Sequence, residues 1–283
     1  MKHPDKWRET VNPFDLPYKN FELQEVLGYP HAGNDVFHAK GLYKQKQVEV
    51  FIKVARQFGA DIKNEIEVIS RLNCDLAPTV IDFGDNPTPF VVSLAKEGER
   101  LSTLLGDNKD LASLEYLYEY GQTLARLHVS KDSFNEVKDR RFFHIPALEH
   151  FAELGIEKYV YDYLVAFKPK RINKCFCHGD FHYANVLWQN KHISAILDFE
   201  LSGIGNREFD IAWAIILRPG QQFLNSPEEV QLFLEGYQSL ESFNRDYVNY
   251  YMVLIYCYFY KIGKNNQSYT GYINNFFENI CKK

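Results

Sequence analysis

The sequence is short of basic charge. Lysine and arginine total 32 against 37 aspartates and glutamates, a formal net charge of −5. A nucleic-acid binder usually carries a basic field, so nucleic acid is excluded as an expected partner. Cysteine is scarce. There are five, an odd number, at positions 74, 175, 177, 257 and 281. That is no disulfide framework, and it suits a reducing cytoplasm. Long hydrophobic runs are missing: the longest, residues 250–260, is too short to span a bilayer and is rich in tyrosine, so no membrane partner is expected. The first ten residues are charged and lack an apolar core, which argues against a secretory signal. Repeats and low-complexity tracts are absent too. What is present is 283 residues, 46% hydrophobic and 16% aromatic. That is a globular chain, long enough for one large domain or two small ones with a buried core.

One stretch organises the rest: His178-Gly179-Asp180-Phe181-His182-Tyr183-Ala184-Asn185, followed by Asp198-Phe199-Glu200. Short apolar runs at 175–177, 184–188 and 193–197 flank these motifs and read as strands. Strands pairing around a polar loop bring Asp180, Asn185 and Asp198 to one end of a small sheet. Three oxygen ligands with no soft ligand among them suit Mg²⁺ with substrate phosphates, leaving one carboxylate to orient a hydroxyl. That is equipment for phosphoryl transfer, in which positioning and charge neutralisation carry most of the catalysis. A zinc reading of Cys175, Cys177, His178 and His182 fails on spacing, because paired zinc cysteines stand two to four residues apart.

The stretch resembles the catalytic loop of the aminoglycoside phosphotransferase and choline kinase family, the small-molecule branch of the protein-kinase-like fold. That branch reads H-G-D-x-H-x-x-N, which His178, Asp180, His182 and Asn185 match. Protein kinases follow the metal aspartate with Phe-Gly; here Glu200 stands in place of the glycine. The resemblance implies an α+β bilobal fold. Residues 1–95 would form a nucleotide-binding lobe, an antiparallel sheet plus one helix, and residues 96–283 a larger, mainly helical lobe. It also implies transfer of the γ-phosphoryl group of ATP or GTP to a hydroxyl of a small molecule. Asp180 would take the hydroxyl proton, Asn185 and Asp198 would bind Mg²⁺, and His178 would be a structural member of the loop.

In the N-terminal part, residues 1–19 read as an irregular leader, and 21–27 and 35–43 as strands. In the loop between these strands, Gly33 and Asn34 tolerate positive φ; they read either as a turn or as backbone donors to phosphate. Residues 48–54 alternate, with Lys53 opposite the aliphatic face; it resembles the lysine that holds the α- and β-phosphates. Residues 61–72 read as a helix with Ile62, Ile66, Ile69 and Leu72 in one stripe. Glu65 falls within that stripe and needs a cation, which selects it over Glu67 as the partner of Lys53. By resemblance, Ser93 to Ala95 form the hinge that meets the purine edge.

The second lobe opens with a helix over 111–128, whose buried face is Leu114, Leu117, Tyr118, Gly121, Leu124, Ala125 and His128. His128 reads as a satisfied core histidine. Charges at Lys138, Asp139, Arg140 and Arg141 read as solvated surface, with helices near 147–154 and 156–167 and again after 223. Asp210, in Asp210-Ile211-Ala212-Trp213, resembles the aspartate that buttresses the catalytic loop; a simple helix N-cap is its other reading. Glu200 is a candidate acid for the acceptor site, and the acid-rich C-terminal part leans toward a cationic polyol or amine. Two other functions fit this fold: a nucleotide-binding scaffold without turnover, and a protein kinase. The acceptor's identity and the oligomeric state are not written in the sequence.

Overall fold

The computed structural model describes residues 11–30, 33–56, 59–105, 113–130, 137–140, 143–171, 174–221 and 223–282. Strands β1 (Phe21–Gly28), β2 (Asp35–Tyr43) and β3 (Lys46–Val54) form an antiparallel meander. Helix α1 (Ile62–Arg71) follows. Strands β4 (Val80–Gly84) and β5 (Phe90–Leu94) then complete a five-stranded sheet in the order β1-β2-β3-β5-β4. The strand alternation expected on β3 is real. Val50, Ile52 and Val54 are buried beside Phe37, Ala39, Phe90 and Val92, while Lys53 points to the other face.

Residues 1–10 of the expected leader lie outside the described residues, and 11–19 are irregular apart from a 3₁₀ turn at Pro13–Asp15, but they are pinned to the sheet. Asp82 on β4 accepts the backbone N–H groups of Lys19, Asn20 and Phe21 at 2.7, 2.6 and 3.0 Å, and Leu16 and Tyr18 pack on the sheet's core. A single carboxylate distant in sequence holds this polar segment, and no local pattern announces that. Helix α1 also differs from its predicted stripe: Val68 is fully buried, with Ile62, Asn64 and Glu65, while Ile66 and Ile69 are only half-buried. The helix lies between the sheet and the second lobe, so its covered surface is wider than one apolar stripe. Asn64 donates across the gap to the carbonyls of Glu200 and Ser202 at 3.0 and 2.9 Å.

The second lobe begins with β6 (Glu99–Arg100) and α2 (Leu101–Leu105), then α3 (Leu114–His128), α4 (Leu148–Leu154) and α5 (Lys158–Ala166). The motif region follows as β7 (Lys174–Cys177), β8 (Val186–Gln189), β9 (His192–Ile196) and β10 (Gly203–Asn206). Helices α6 (Arg207–Ile215), α7 (Pro227–Gln238), α8 (Arg245–Gly263) and α9 (Gln267–Cys281) complete the chain. The single small sheet expected here is in fact two. β7 pairs with β10, a strand the sequence reading missed, whereas β8 pairs with β9 and β6. Ala184 and Asn185 belong to a 3₁₀ turn, Tyr183–Asn185, rather than to the strand.

Helix α3 packs most closely on α7 through a pair of glycines. A Cβ on Gly121 would sit 1.9 Å from the Phe233 carbonyl oxygen, and one on Gly236 would sit 2.0 Å from that of Tyr118. The backbones therefore touch, and Tyr118, expected inside, is 41% exposed, while Tyr116 and Tyr120 are buried. The predicted helical start at Leu111 lies outside the described residues. Helix α8 holds the apolar run at 250–260 and is buried on most sides, as a core helix should be. Among the described residues no helix is long and apolar enough to cross a membrane.

Candidate active site

The cleft between the lobes is built around one ammonium group. Lys53 Nζ lies 2.8 Å from Glu65 Oε2, 2.7 Å from Asp198 Oδ1 and 2.9 Å from Glu200 Oε2. Strand β3 delivers the lysine, α1 delivers Glu65, and the turn after β9 delivers the other two acids. Burial works against the lysine's charge, but the three carboxylates outweigh it and raise its pKa. The Glu65 carboxyl is pushed up by burial and pulled back by Lys53. One cation facing three acid groups leaves an excess of negative charge, a setting that welcomes a divalent ion. The ligand oxygens of Glu65, Asp198 and Glu200 all lie within 4.8 Å of one another.

Asp198 adopts φ +66°, the left-handed region, which costs a non-glycine residue about 1–2 kcal/mol. Its surroundings impose that conformation. The Leu197 N–H donates to the Asn185 carbonyl at 2.8 Å, and the Leu197 carbonyl accepts from His178 Nε2 at 3.1 Å. The other ring nitrogen, Nδ1, accepts the Asp180 N–H at 3.2 Å. This sets the tautomer, with the proton on Nε2. Burial lowers the His178 pKa, so the ring is a neutral strut and not an acid or base. A single imidazole therefore spans the loop from Asp180 to the residue before Asp198.

The Asp180 carboxylate is held from several sides. Trp213 Nε1–H donates to Oδ1 at 2.7 Å, and Asn185 Nδ2 donates to Oδ2 at 3.0 Å. His182 Nε2 is 3.5 Å from Oδ2. Burial raises the Asp180 pKa, yet His182, the Arg218 charge and the Trp213 bond outweigh it, and the net shift is downward. Asn185 also donates to the Asp180 carbonyl at 3.0 Å, so its amide N–H groups are engaged within the loop and its Oδ1 is left for a ligand.

Behind the loop, Asp210 on α6 is fully buried. Its carboxylate accepts the His178 N–H at 2.8 Å and the Gly179 N–H at 3.0 Å. His128 Nε2 approaches it at 3.2 Å, and His128 Nδ1 meets the Tyr237 hydroxyl at 2.7 Å. Burial pushes the Asp210 carboxyl up, but the His128 bond and the Arg140 charge hold it down at about 2. Asp210 is not an N-cap; Asn206 caps α6 by accepting the Glu208 N–H. Gly179 sits at φ +86°, and a Cβ there would stand 2.0 Å from the Leu201 carbonyl oxygen, so the turn accepts only glycine.

The family model described as the phosphotransferase enzyme family matches residues 32–250. The chain belongs to that family. Among curated proteins, an aminoglycoside 3′-phosphotransferase from Niallia circulans is 24% identical, over 82% of this chain and 95% of its own length. Among solved structures, a thermostable mutant of the aminoglycoside phosphotransferase APH(4)-Ia, in ternary complex with ADP and hygromycin B, superposes with a TM-score of 0.62. Identity there is 13%, covering 94% of each chain. The macrolide 2′-phosphotransferase MphH from Brachybacterium faecium gives a TM-score of 0.53 at 12% identity, covering 91% of each chain. These likenesses establish the kinase-like α+β fold.

Within this phosphotransferase framework, three sequence expectations change. Glu200 was a candidate for the acceptor site. Its carboxylate turns to Lys53 and accepts from Asn34 Nδ2 at 2.8 Å, buried between the lobes, and the residue also lines a cavity beside Phe209 and Trp213. Asn34 is accordingly an inter-lobe strut more than a loop tip, while Gly33 adopts a positive φ, +97°; its neighbours His31 and Ala32 lie outside the described residues. At the hinge, the Ala95 N–H donates to the Glu49 carbonyl at 2.9 Å and Ser93 pairs with Phe51 on β3. Ala95 thus has no free N–H for a purine, because β5 still hydrogen-bonds to β3 at that point.

The roles of two residues were not foreseen in the sequence. Arg140, expected on the surface with Arg141, is 8% exposed, lies with its guanidinium 4.3 Å from the Phe209 ring centre, and donates through Nη2 to the Gly179 carbonyl. Arg141 is outside the described residues. Trp213 was noted only as part of a motif, yet it reaches Asp180 directly. Arg218 secures it, donating to the Trp213 carbonyl at 3.0 Å. The Lys53 salt bridge to Glu65 was foreseen from helical phase; nothing local marked Arg140.

Proposed function

We propose that the protein is a Mg²⁺-dependent small-molecule kinase that moves the γ-phosphoryl group of ATP or GTP to a hydroxyl of its acceptor. One observation carries the reading: His178 bridges Asp180 and the Leu197 carbonyl, which brings a positioned carboxylate beside the Asp198–Lys53–Glu65 chain. In this assignment residues 1–95 form the nucleotide lobe. Lys53, held by Glu65, binds the α/β-phosphates, and the Gly33 backbone lies over them. The Mg²⁺ ligands are Asn185, through its remaining oxygen, and Asp198, whose side chain is 35% exposed. Both donors are hard oxygen, which suits Mg²⁺. The ion supplies charge neutralisation on the phosphates when bound.

Asp180 is the base. Its lowered pKa keeps it ionised at neutral pH, and its bonds to Trp213 and Asn185 fix its direction. Ionisation lets it accept the acceptor's hydroxyl proton as the oxygen attacks phosphorus. A cavity of about 220 Å³ opens between Phe143, Phe209, Trp213 and Leu201, with Lys138, Arg140, Asp61 and Glu200 also contributing to its lining. We assign the ring body of the acceptor to that wall. Of the acids behind the lean toward a cationic acceptor, Glu200 lines this cavity while also serving Lys53, whereas Glu208 accepts the Asn244 N–H and Glu229 caps α7. Antibiotics of the kinds bound by the relatives are the first acceptors to try, and a reducing cytoplasm is the proposed setting, given five free cysteines.

The decisive test is Asp180→Ala with a coupled ADP and GDP readout across an acceptor panel. Turnover is expected to fall by about 10³-fold while nucleotide affinity holds. Near-normal turnover in the variant removes Asp180 from the mechanism, and full wild-type turnover in a chelator removes the metal.

A further inference from the structure

On the back of β7, away from the cleft, a cavity of about 630 Å³ opens between α3, β7 and α6. Cys175, Phe176, His128, Arg207, Lys174 and Glu241 contribute to its lining. Cys175 is half-buried there, and its Sγ stands 3.8 Å from the Sγ of fully buried Cys177, two residues along the same strand. Such a pair suggests a metal chelate. The third group within reach, His128, argues against it, because both ring nitrogens already serve Tyr237 and Asp210. The pair suits covalent sulfur chemistry better.

We infer that Cys175 is a thiol-modification site, at which the disulfide of a low-molecular-weight thiol exchanges to leave a mixed disulfide in this cavity. The volume lies in the range of small-ligand sites, so the appended group has room. The Cys175 thiolate attacks one sulfur of the disulfide. A new S–S bond forms, the old one breaks, and the released thiolate takes a proton from water. Cys175 ends oxidised and one half of the reagent ends reduced. The contact with the Cys177 thiol lowers the Cys175 pKa most, and the nearby His128 and Arg207 act in the same direction, against burial and Asp210. Lys174 and Asp139 pair with each other at the rim, and Glu241 pairs with Arg207. The net result brings the Cys175 pKa down to about 7, whereas burial pushes Cys281 up to about 12.

The adduct would stand against the wall that holds the loop. Cys177 leads directly into His178, and His128 is a partner of Asp210. Turnover is therefore expected to fall on modification and to return with a thiol reductant.

The test treats the full-length reduced protein with oxidised glutathione at pH 7 and maps the adducts by peptide mass spectrometry. Cys175 is expected to react about a hundredfold faster than Cys281, after the lower nucleophilicity of a low-pKa thiol is counted. Its rate should level off above pH 7, and Cys175→Ser should remove the fast adduct. First reaction at Cys74 or Cys281 overturns the site. Modification at Cys175 with unchanged turnover overturns its link to the loop. The mapping does not depend on the protein being a phosphotransferase, so the two readings fail separately.

Discussion

The front and the back of the loop from His178 to Asn185 are held by different means. On the front, Asp180 and Asp198 keep 20% and 35% of their side chains open, and Asp198 is held in a strained backbone conformation. On the back, Asp210 has no exposure and accepts two consecutive backbone N–H groups, with His128, His178 and Arg140 around it. The contrast shows where the precision of the front comes from. A strained, partly open constellation persists only where its surroundings over-determine it, and here the buried aspartate provides that rigidity.

If so, disturbing the back should cost stability and disturbing the front should cost rate. The largest effect belongs to Asp210→Ala, which strands two buried N–H groups and leaves Arg140 short of a counter-charge. Unfolding free energy is expected to drop by about 3–5 kcal/mol in urea titration, whereas Asp180→Ala is expected to change it little. Equal losses from both would erase the distinction between front and back.

The next effect is a pH dependence. The Asp210 carboxyl lies at about 2 when folded, against an ordinary aspartate value of 3.8. Its contribution is therefore complete above pH 4 and is lost as pH falls through 2. About 2 kcal/mol should disappear across that window, and Asp210→Asn should abolish this part of the slope. A wild-type curve with the same slope as the Asn variant would mean that the aspartate is not selectively stabilised in its ionised form.

The smallest effect tests the front. Trp213→Phe keeps the ring and removes the donor to Asp180. A hydrogen bond to a charged group is worth about 1.5–3 kcal/mol, so kcat should fall at least about tenfold with nucleotide KM unchanged. Because Asp180 then loses a group that lowers its pKa, the acid limb of the rate profile should move to higher pH. A shift in the opposite direction would contradict the role given to Trp213.

Most of the loop was legible because its chemistry is local in sequence. His178, Asp180, Asn185 and Asp198 lie within 21 residues, and turn geometry carries them to one place. The Lys53–Glu65 salt bridge was legible for another reason. Strand alternation and helical phase each select one face, and an acid on a covered face needs a cation. Arg140 was misread as surface, and the roles of Asp82 and Glu200 were not foreseen. Each finds its partners more than 30 residues away, on an element whose position the periodicities do not report.

By itself the sequence determined most of the element types, the oxygen-rich motif and the identity of the lysine's partner, since all three follow from spacing along one or two elements. Tertiary structure alone decided that β7 pairs with β10, that α3 and α7 meet backbone to backbone at Gly121 and Gly236, and that Glu200 reaches Lys53 and Asn34 across the cleft. Those outcomes depend on which surfaces remain to be covered once the two lobes pack, and burial of that kind is a property of the whole chain.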